Sequence, residues 1–489
     1  MIPYEYVTSY TYNSKGQVLS IDGPLAGNSD LTTFTYDATT GNVLTVTQPA
    51  IGTTTYSEYD AAGQVGRITD SNGNAVTYTY DGKGRIKTVT NQSDSGTTTI
   101  NYNTAGDVSS ILAANGVSYT FTYEATNGRL TRITDTAGNY IQYAYDTQGN
   151  RTEQSHFNSV NEKHFWLRFN YQGTSFPGKL WKVTNPDNSY TEYTYNTGGN
   201  LYSVKDPANK TTSYAYDPFR SLVTVTQPGS LQTGYEYDTQ GNLVSVTDPA
   251  SHTTFYDKDD MGRLVSAISP DEGTTLYNYD PAGNLVFKRD ARNNTTNYTY
   301  DGAYRLTQVQ FSDPNQNIIY TYDQGTNGKG QLTGMTDPSG SYTFSYDPKG
   351  NLITEQKSIS GVPYTTQYTY DLADIPTGMT YPEGRTVTYE LNNIGKVSRV
   401  TTVKNGNNRT LAENIGYRSF GPLNALSYGN GTALNKGLDQ LFQTTDIDAG
   451  AVQSLDYTIG PAGNVTGITN NLDSNRNQTF THQLHKKLI

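Results

Sequence analysis

Residues 279–285 read Tyr-Asp-Pro-Ala-Gly-Asn-Leu, and the phrase returns along the whole chain. It stands at Tyr59-Asp60 with Gly63, Tyr80-Asp81 with Gly84, Tyr145-Asp146 with Gly149, and Tyr237-Asp238 with Gly241. It stands again at Tyr279-Asp280 with Gly283 and at Tyr346-Asp347 with Gly350. Just before it the chain alternates, as in TYTYD at 77–81, so Tyr78 and Tyr80 share one face of a strand. Asp at the first and Gly at the fourth position of a tight turn fit a type I turn, in which Asp bonds back to the loop and Gly accepts a positive φ. RIKTVT at 85–90 is then a second strand. Its apolar pair, Ile86 and Val89, is three apart and breaks strict alternation, which a bulge or one extra residue at the turn end explains.

A second turn also recurs, as DSNGNA at Asp70, DTAGNY at Asp135, DPANKT at Asp206 and DPSGSY at Asp337. Proline after Asp presets its φ. The organisation is therefore strand, turn, strand, turn, about twenty times over. Taking the last Tyr of each Y-x-Y or F-x-Y phrase as an anchor, the anchors run from Tyr12 to Tyr457 and include Tyr256, Tyr389 and Tyr417. Most spacings lie between 19 and 24 residues. The 40-residue gap from Tyr417 to Tyr457 holds a degenerate copy, LDQLFQTT, with Leu438 in the tyrosine slot. Leu434, Leu438, Leu441 and Phe442 have helical spacing in isolation, but the register of the repeat favours a strand.

Composition agrees with a turn-rich, all-β chain. Its 489 residues include 42 Tyr and 47 Gly but no Cys, and only 16% are charged. Tyrosine carries much of the buried area in such a chain. Aromatics at 12% weigh against disorder. The net charge of -11 disfavours a nucleic-acid partner, which needs a basic face. The absence of Cys excludes a disulfide framework and Cys-ligated zinc. No apolar run is long enough for a spanning helix, and MIPYEYVTSYTYN lacks the charged and apolar regions of a signal peptide.

Hairpins of this size cannot bury a core singly. Side by side, roughly forty strands at about 4.8 Å each extend some 190 Å. Strand twist forbids a flat sheet of that length. The expected fold is one long coiled sheet of tandem hairpins about 21 residues apart, rolled into a spiral barrel or solenoid-like shell. Residues 1–489 form a single array of about 20–21 repeats, enlarged and irregular at 152–181 and degenerate over 417–489.

The phrase resembles the YD repeat of Rhs (rearrangement hot spot) proteins, of Tc toxin cocoon subunits and of teneurins. The match is best at Tyr80–Ile86, Tyr237–Leu243, Tyr279–Leu285 and Tyr346–Leu352, and YGNGT at Tyr428 also resembles a phrase of such shells. The resemblance implies a hollow, non-catalytic, secreted or surface-displayed bacterial shell whose partner is an enclosed toxin or effector domain, or the remainder of a larger chain. Several places depart from the pattern. Tyr216 is followed by DPFRSL without the turn Gly, and Pro376 stands where a strand should run. The Asp-Pro-x-Gly-Leu self-cleavage motif of the family is not found; DPSG at Asp337 is in register as an ordinary second turn. In TFTHQLHKKLI, His482 takes the Tyr slot and Gln483 the Asp slot. The chain stops as the next strand should begin, as expected of a fragment or of a chain that pairs end to end through its sheet edges.

Candidate chemistry is sparse. Turn aspartates at fixed phase line one rim and do not face each other across a substrate, as a glycosidase requires. Asp257–Gly262 approximates an EF-hand start, but Met261 replaces a ligand, and Asp313–Asn317 lacks the Gly. His482 and His485 are too few for a metal site. No P-loop or dinucleotide fingerprint occurs. Catalytic, cofactor and metal residues are therefore expected to be none. Trp166 and Trp181, in the enlarged repeat with His156 and His164, are candidates for a plug or a ligand contact. The alternative to a toxin shell is an extracellular adhesin or filament-forming structural protein that binds glycans or cell surfaces.

Overall fold

The alternating segment Ala75–Tyr80 runs antiparallel to Ile86–Asn91, joined by the turn at Asp81. Asp81 Oδ1 accepts the backbone N–H groups of Lys83 and Arg85 at 2.8 and 3.0 Å. Gly84 N–H donates to the Asp81 carbonyl at 2.9 Å. Gly84 sits at φ +78°, where an L side chain costs roughly 1–2 kcal/mol. Tyr80 pairs with Ile86 but Thr79 with Thr88, so Lys87 is the extra residue of a bulge. That bulge returns Ile86 and Val89 to the face of Tyr80 and Tyr78. The same shift falls at Thr35/Tyr36, Thr122/Tyr123 and Asn278/Tyr279.

The computed structural model describes residues 7–172 and 176–480. The repeat phrase read at His482 and Gln483, and the pair His482 and His485, lie outside them. Among the described residues 43 strands form one antiparallel sheet, each strand paired with its neighbours in sequence from Ser9–Tyr12 to Gln478–Thr479. Among the described residues no pairing joins the first strand to the last, so the sheet they form is open. Regular helix is limited among them to two three-residue 3-10 turns, Pro314–Gln316 and Ser474–Arg476.

The structure corrects the anchors at three places. The residue at the turn is Lys258 and not Tyr256, Leu391 and not Tyr389, and Ile459 and not Tyr457. These residues pair across the bulge just as Tyr80 does, and they restore steps of 21 residues from Tyr237, Tyr370 and Leu438. Position next to the turn defines the slot; tyrosine is only its commonest occupant. The degenerate copy is a strand, Ala433–Leu438, with Leu438 paired to Thr444. Pro376 opens the strand Pro376–Thr380, a position that tolerates proline. The enlarged repeat is built as strands, Arg151–Phe157, Lys163–Tyr171 and Leu180–Thr184.

Accessible area shows how thin the molecule is. The chain exposes 27885 Å², whereas a compact monomer of 53.7 kDa exposes about 18,000 Å². Few apolar side chains among the described residues are buried, Ala75, Val117 and Leu438 among them. The sheet is a single layer that coils. Contacts recur between residues 253 to 280 apart, such as Asn74 with Asn327 and Asn139 with Ser419. One winding thus takes roughly 23 strands, a circumference on the order of 110 Å and a diameter of about 35 Å. The tyrosine turns lie along one rim of this ribbon and the second turns along the other.

Candidate functional site: the tyrosine clamp and the seam between windings

Two sets of side chains hold this wall together. The first joins neighbouring hairpins. Tyr279 Oη donates to the Leu264 carbonyl at 2.8 Å, Tyr80 to Val65 at 2.8 Å and Tyr346 to Leu332 at 2.6 Å. Tyr59, Tyr145 and Tyr237 do the same to Val43, Leu130 and Leu222. The acceptor is the aliphatic residue that opens the return strand of the preceding hairpin, except at Val65, which lies two residues before its strand. The two ends of the repeated phrase, its Tyr and its Leu, are thus donor and acceptor of one inter-hairpin bond. Desolvation beside the backbone raises the hydroxyls of Tyr59, Tyr80, Tyr145, Tyr279 and Tyr346 above the ordinary phenol value.

The residue four after the turn Asp completes the clamp. Arg85 pairs with Asp81 and lays its guanidinium 4.0 Å from the ring centroid of Tyr102 in the next hairpin. Arg305 pairs with Asp301 and stacks 4.3 Å from Tyr322. Where the sequence has Asn instead, its amide donates to the same carboxylate oxygen: Asn150 to Asp146, Asn242 to Asp238 and Asn284 to Asp280, all at 2.9 Å, and Asn351 to Asp347 at 3.0 Å. The bond from Arg85 holds the Asp81 carboxyl down at about 2, and the Asn150 and Asn242 amides lower Asp146 and Asp238. Gly63, Gly84, Gly149, Gly241, Gly283 and Gly350 all take positive φ at the fourth turn position.

The second set joins successive windings. Second turns of the first winding meet tyrosine turns of the second. Tyr304 Oη donates to Asp30 Oδ2 at 2.6 Å. Asn72 exchanges two hydrogen bonds with the Lys329 backbone at 2.8 and 3.0 Å. Lys349 reaches Asp94 at 3.1 Å, and Asn115 donates to Asp371 at 2.8 Å. Gly302 lies so close to the first winding that an added Cβ would collide with the Ser29 carbonyl oxygen. Farther along, His156 packs against Phe165, Phe420 and Phe442, with Phe165 and Phe442 stacked at 5.3 Å. Burial lowers His156 to about 4.

Residues at this seam carry a signal in the sequence that the repeat phrase alone did not expose. Tyr304, Asp374 and Phe442 occupy the fourth turn position, where the repeat calls for glycine, at φ 60°, 64° and 62°. Each spends backbone strain on a side chain that reaches a partner: Tyr304 to Asp30, Asp374 to Lys349, Phe442 to Phe165. Arg220 departs likewise at φ 72°. Trp166 lies on a strand, its indole donating to Gln440 Oε1 at 3.2 Å across the seam, with Arg168 4.7 Å from its ring. Trp181 is the bulged residue between Leu180 and Lys182, half-buried in the sheet. Asp259 is engaged by its own turn, accepting from Met261 and Arg263, and Asp313 caps the short turn at Pro314.

Known proteins were compared with this chain. The model of the teneurin YD-shell matches residues 2–174 and 176–273, and that of the RHS repeat matches 327–362. No curated protein matches. Among solved structures, TcdB2-TccC3-Cdc42 superimposes with a TM-score of 0.76 at 14% identity, over 95% of this chain and 32% of that one. TcdB2-TccC3 gives 0.75 at 15% identity, over 95% and 30%. The Tc holotoxin pore of Photorhabdus luminescens gives 0.73 at 15% identity, over 95% and 32%. The chain spans about a third of the length of these solved chains. At such identities the likeness is one of fold.

Proposed function

The chain belongs to the teneurin YD-shell family, and from that premise we propose that its sheet is a wall segment of a secreted or surface-displayed shell enclosing an effector domain. The observation that carries this reading is the single wet layer wound rim on rim. A sheet that exposes both faces and coils at a diameter of about 35 Å suits a container better than a packed domain. The clamp and the seam use the carboxylates, rings and hydroxyls that catalysis would need, and in this reading the wall performs no chemistry. Residues 1–489 act as one continuous array. The cargo is a separate segment of a larger chain or a partner polypeptide. One of the similar solved structures is TcdB2-TccC3 without its hypervariable C-terminal region, and a variable segment of that kind is the class of cargo we infer here.

Protease protection of the native protein from its source tests this. A non-repeat segment held inside the wall should survive digestion until the wall is unfolded. Digestion of that segment at the same rate with the wall intact or denatured would contradict enclosure.

A further inference from the structure

The second turn that opens at Asp22 is enlarged. Nine residues, 23–31, follow Asp22 before the next strand, where four, 136–139, follow Asp135. In the short turn Asp135 Oδ1 accepts the backbone N–H groups of Ala137 and Asn139 at 3.0 and 2.9 Å. The longer loop carries the corresponding donors away. Asp22 Oδ1 is buried and has no partner among the described residues.

The far end of the same loop repeats the anomaly. Asp30 is 6% exposed. Its Oδ2 accepts the Leu25 backbone N–H at 3.0 Å as well as the Tyr304 hydroxyl. Its Oδ1 is buried and, among the described residues, as unpartnered as that of Asp22. The two carboxylates converge. A Cβ added at Gly23, the residue after Asp22, would collide with the Asp30 carboxylate and with the Tyr304 hydroxyl. Burial, the bond to Asp30 and the charges of Asp30, Asp280 and Asp22 together raise that hydroxyl above the ordinary phenol value. Asp280 is satisfied by Asn284. No ion pair reaches Asp22 or Asp30 among the described residues, and Arg305, beside Tyr304, is committed to Asp301 and Asp323.

A buried carboxylate oxygen with neither donor nor counter-charge is costly, and an ion is one of the few things that relieve it. We propose that Asp22 and Asp30 hold a calcium ion in the loop 23–31. Two carboxylates match the charge of the ion. The loop adds the carbonyls of Gly23, Pro24 and Leu25, which accept no hydrogen bond among the described residues. Donors that are all oxygen suit a hard cation, and calcium tolerates the irregular geometry of a loop, whereas magnesium demands a near-octahedral shell. Asp30 gives its other oxygen to Tyr304 in the next winding, so the ion braces the loop on which the seam rests at that point. The site asks nothing of a cargo and stands apart from the enclosure reading.

Calcium uptake by the full chain, first stripped with EDTA, tests the proposal. Equilibrium dialysis against calcium chloride should give a single ion per chain with a Kd on the order of 0.1–1 mM, the range of extracellular sites. The melting temperature should rise with calcium until the site is full. Asp22→Asn keeps the shape of the side chain and removes one ligand charge. It should weaken binding by at least about tenfold. Without calcium it should melt no lower than the wild type, because an unpaired buried charge is gone. Asp30→Asn should weaken binding likewise. A wild type that takes up no calcium at about 10 mM, ten times the weakest Kd expected, overturns the proposal. So does uptake that is the same in the wild type and in Asp22→Asn. A rise in melting temperature that magnesium matches also overturns it, since that would be general screening of the net charge of -11.

Discussion

The tyrosine of the repeat works through its hydroxyl as well as its ring. Tyr279 bonds the Leu264 carbonyl across hairpins, so Tyr279→Phe keeps the ring and loses the bond. Its expected cost is about 1 kcal/mol, read as a lower midpoint in urea. Tyr202, the bulged residue of its strand and 55% exposed, serves as the control, and Tyr202→Phe should be neutral. The turn aspartates set the response to acid. Asp81 is held at about 2 by Arg85, and Asp146 and Asp238 are lowered by their asparagine partners. A carboxyl whose folded value lies below its unfolded value near 3.8 stabilises the fold fully above that range. Its contribution is lost as pH falls toward the folded value. Urea midpoints should therefore fall between about pH 4 and pH 2, and Asp81→Asn should flatten part of that fall. A flat profile in the wild type would show that the clamps do not sense the carboxylate charge.

Hairpins of one sequence pattern meet two environments, and matched positions separate them. Gly82 and Gly302 both follow the turn Asp. Nothing lies within 4 Å of a Cβ added at Gly82, whereas one added at Gly302 strikes the Ser29 backbone. Gly82→Ala should leave thermal stability within about 0.5 kcal/mol. Gly302→Ala should cost more than about 2 kcal/mol, because backbone on both sides cannot yield without parting the windings. His156 gives the seam a pH dependence of its own. Its folded value of about 4 lies below its ordinary 6.5 because burial among Phe165, Phe420 and Phe442 disfavours the charged ring. The unfolded chain takes up the proton first, so stability is full above about pH 6.5 and declines as pH drops toward 4. The loss is on the order of 3 kcal/mol. His156→Phe should abolish the slope in that window and leave the carboxylate-driven slope below it.

At the scale of the whole molecule, local chemistry and the coiling of the sheet were legible in the sequence, and the turns that meet between windings were not. Asp81 and Gly84 declare a turn, Tyr78 and Tyr80 a face, and the three-residue step from Ile86 to Val89 a bulge, because each is settled within one hairpin. Tyr256, Tyr389 and Tyr457 misled because tyrosine also occupies the position two before the slot, and only pairing reveals Lys258, Leu391 and Ile459 in it. The seam was hidden because its partners lie more than 250 residues apart and obey no shared motif. Its trace was the replacement of glycine at a strained position by Tyr304 and Phe442, which reach the opposing winding, and by Asp374, which holds the bridging Lys349, departures that make sense only once the opposing winding is seen. The chain contains no cysteine, so one introduced pair tests the winding without background. Asn72 and Lys329 exchange hydrogen bonds across the seam at 2.8 and 3.0 Å. If the sheet coils rim on rim, Asn72→Cys with Lys329→Cys should close an intramolecular disulfide under mild oxidation, in the monomer and at any dilution. The pair Asn72→Cys with Phe219→Cys, on opposite rims of one winding, should stay reduced. A seam pair that oxidises no faster than this control would contradict the spiral wall.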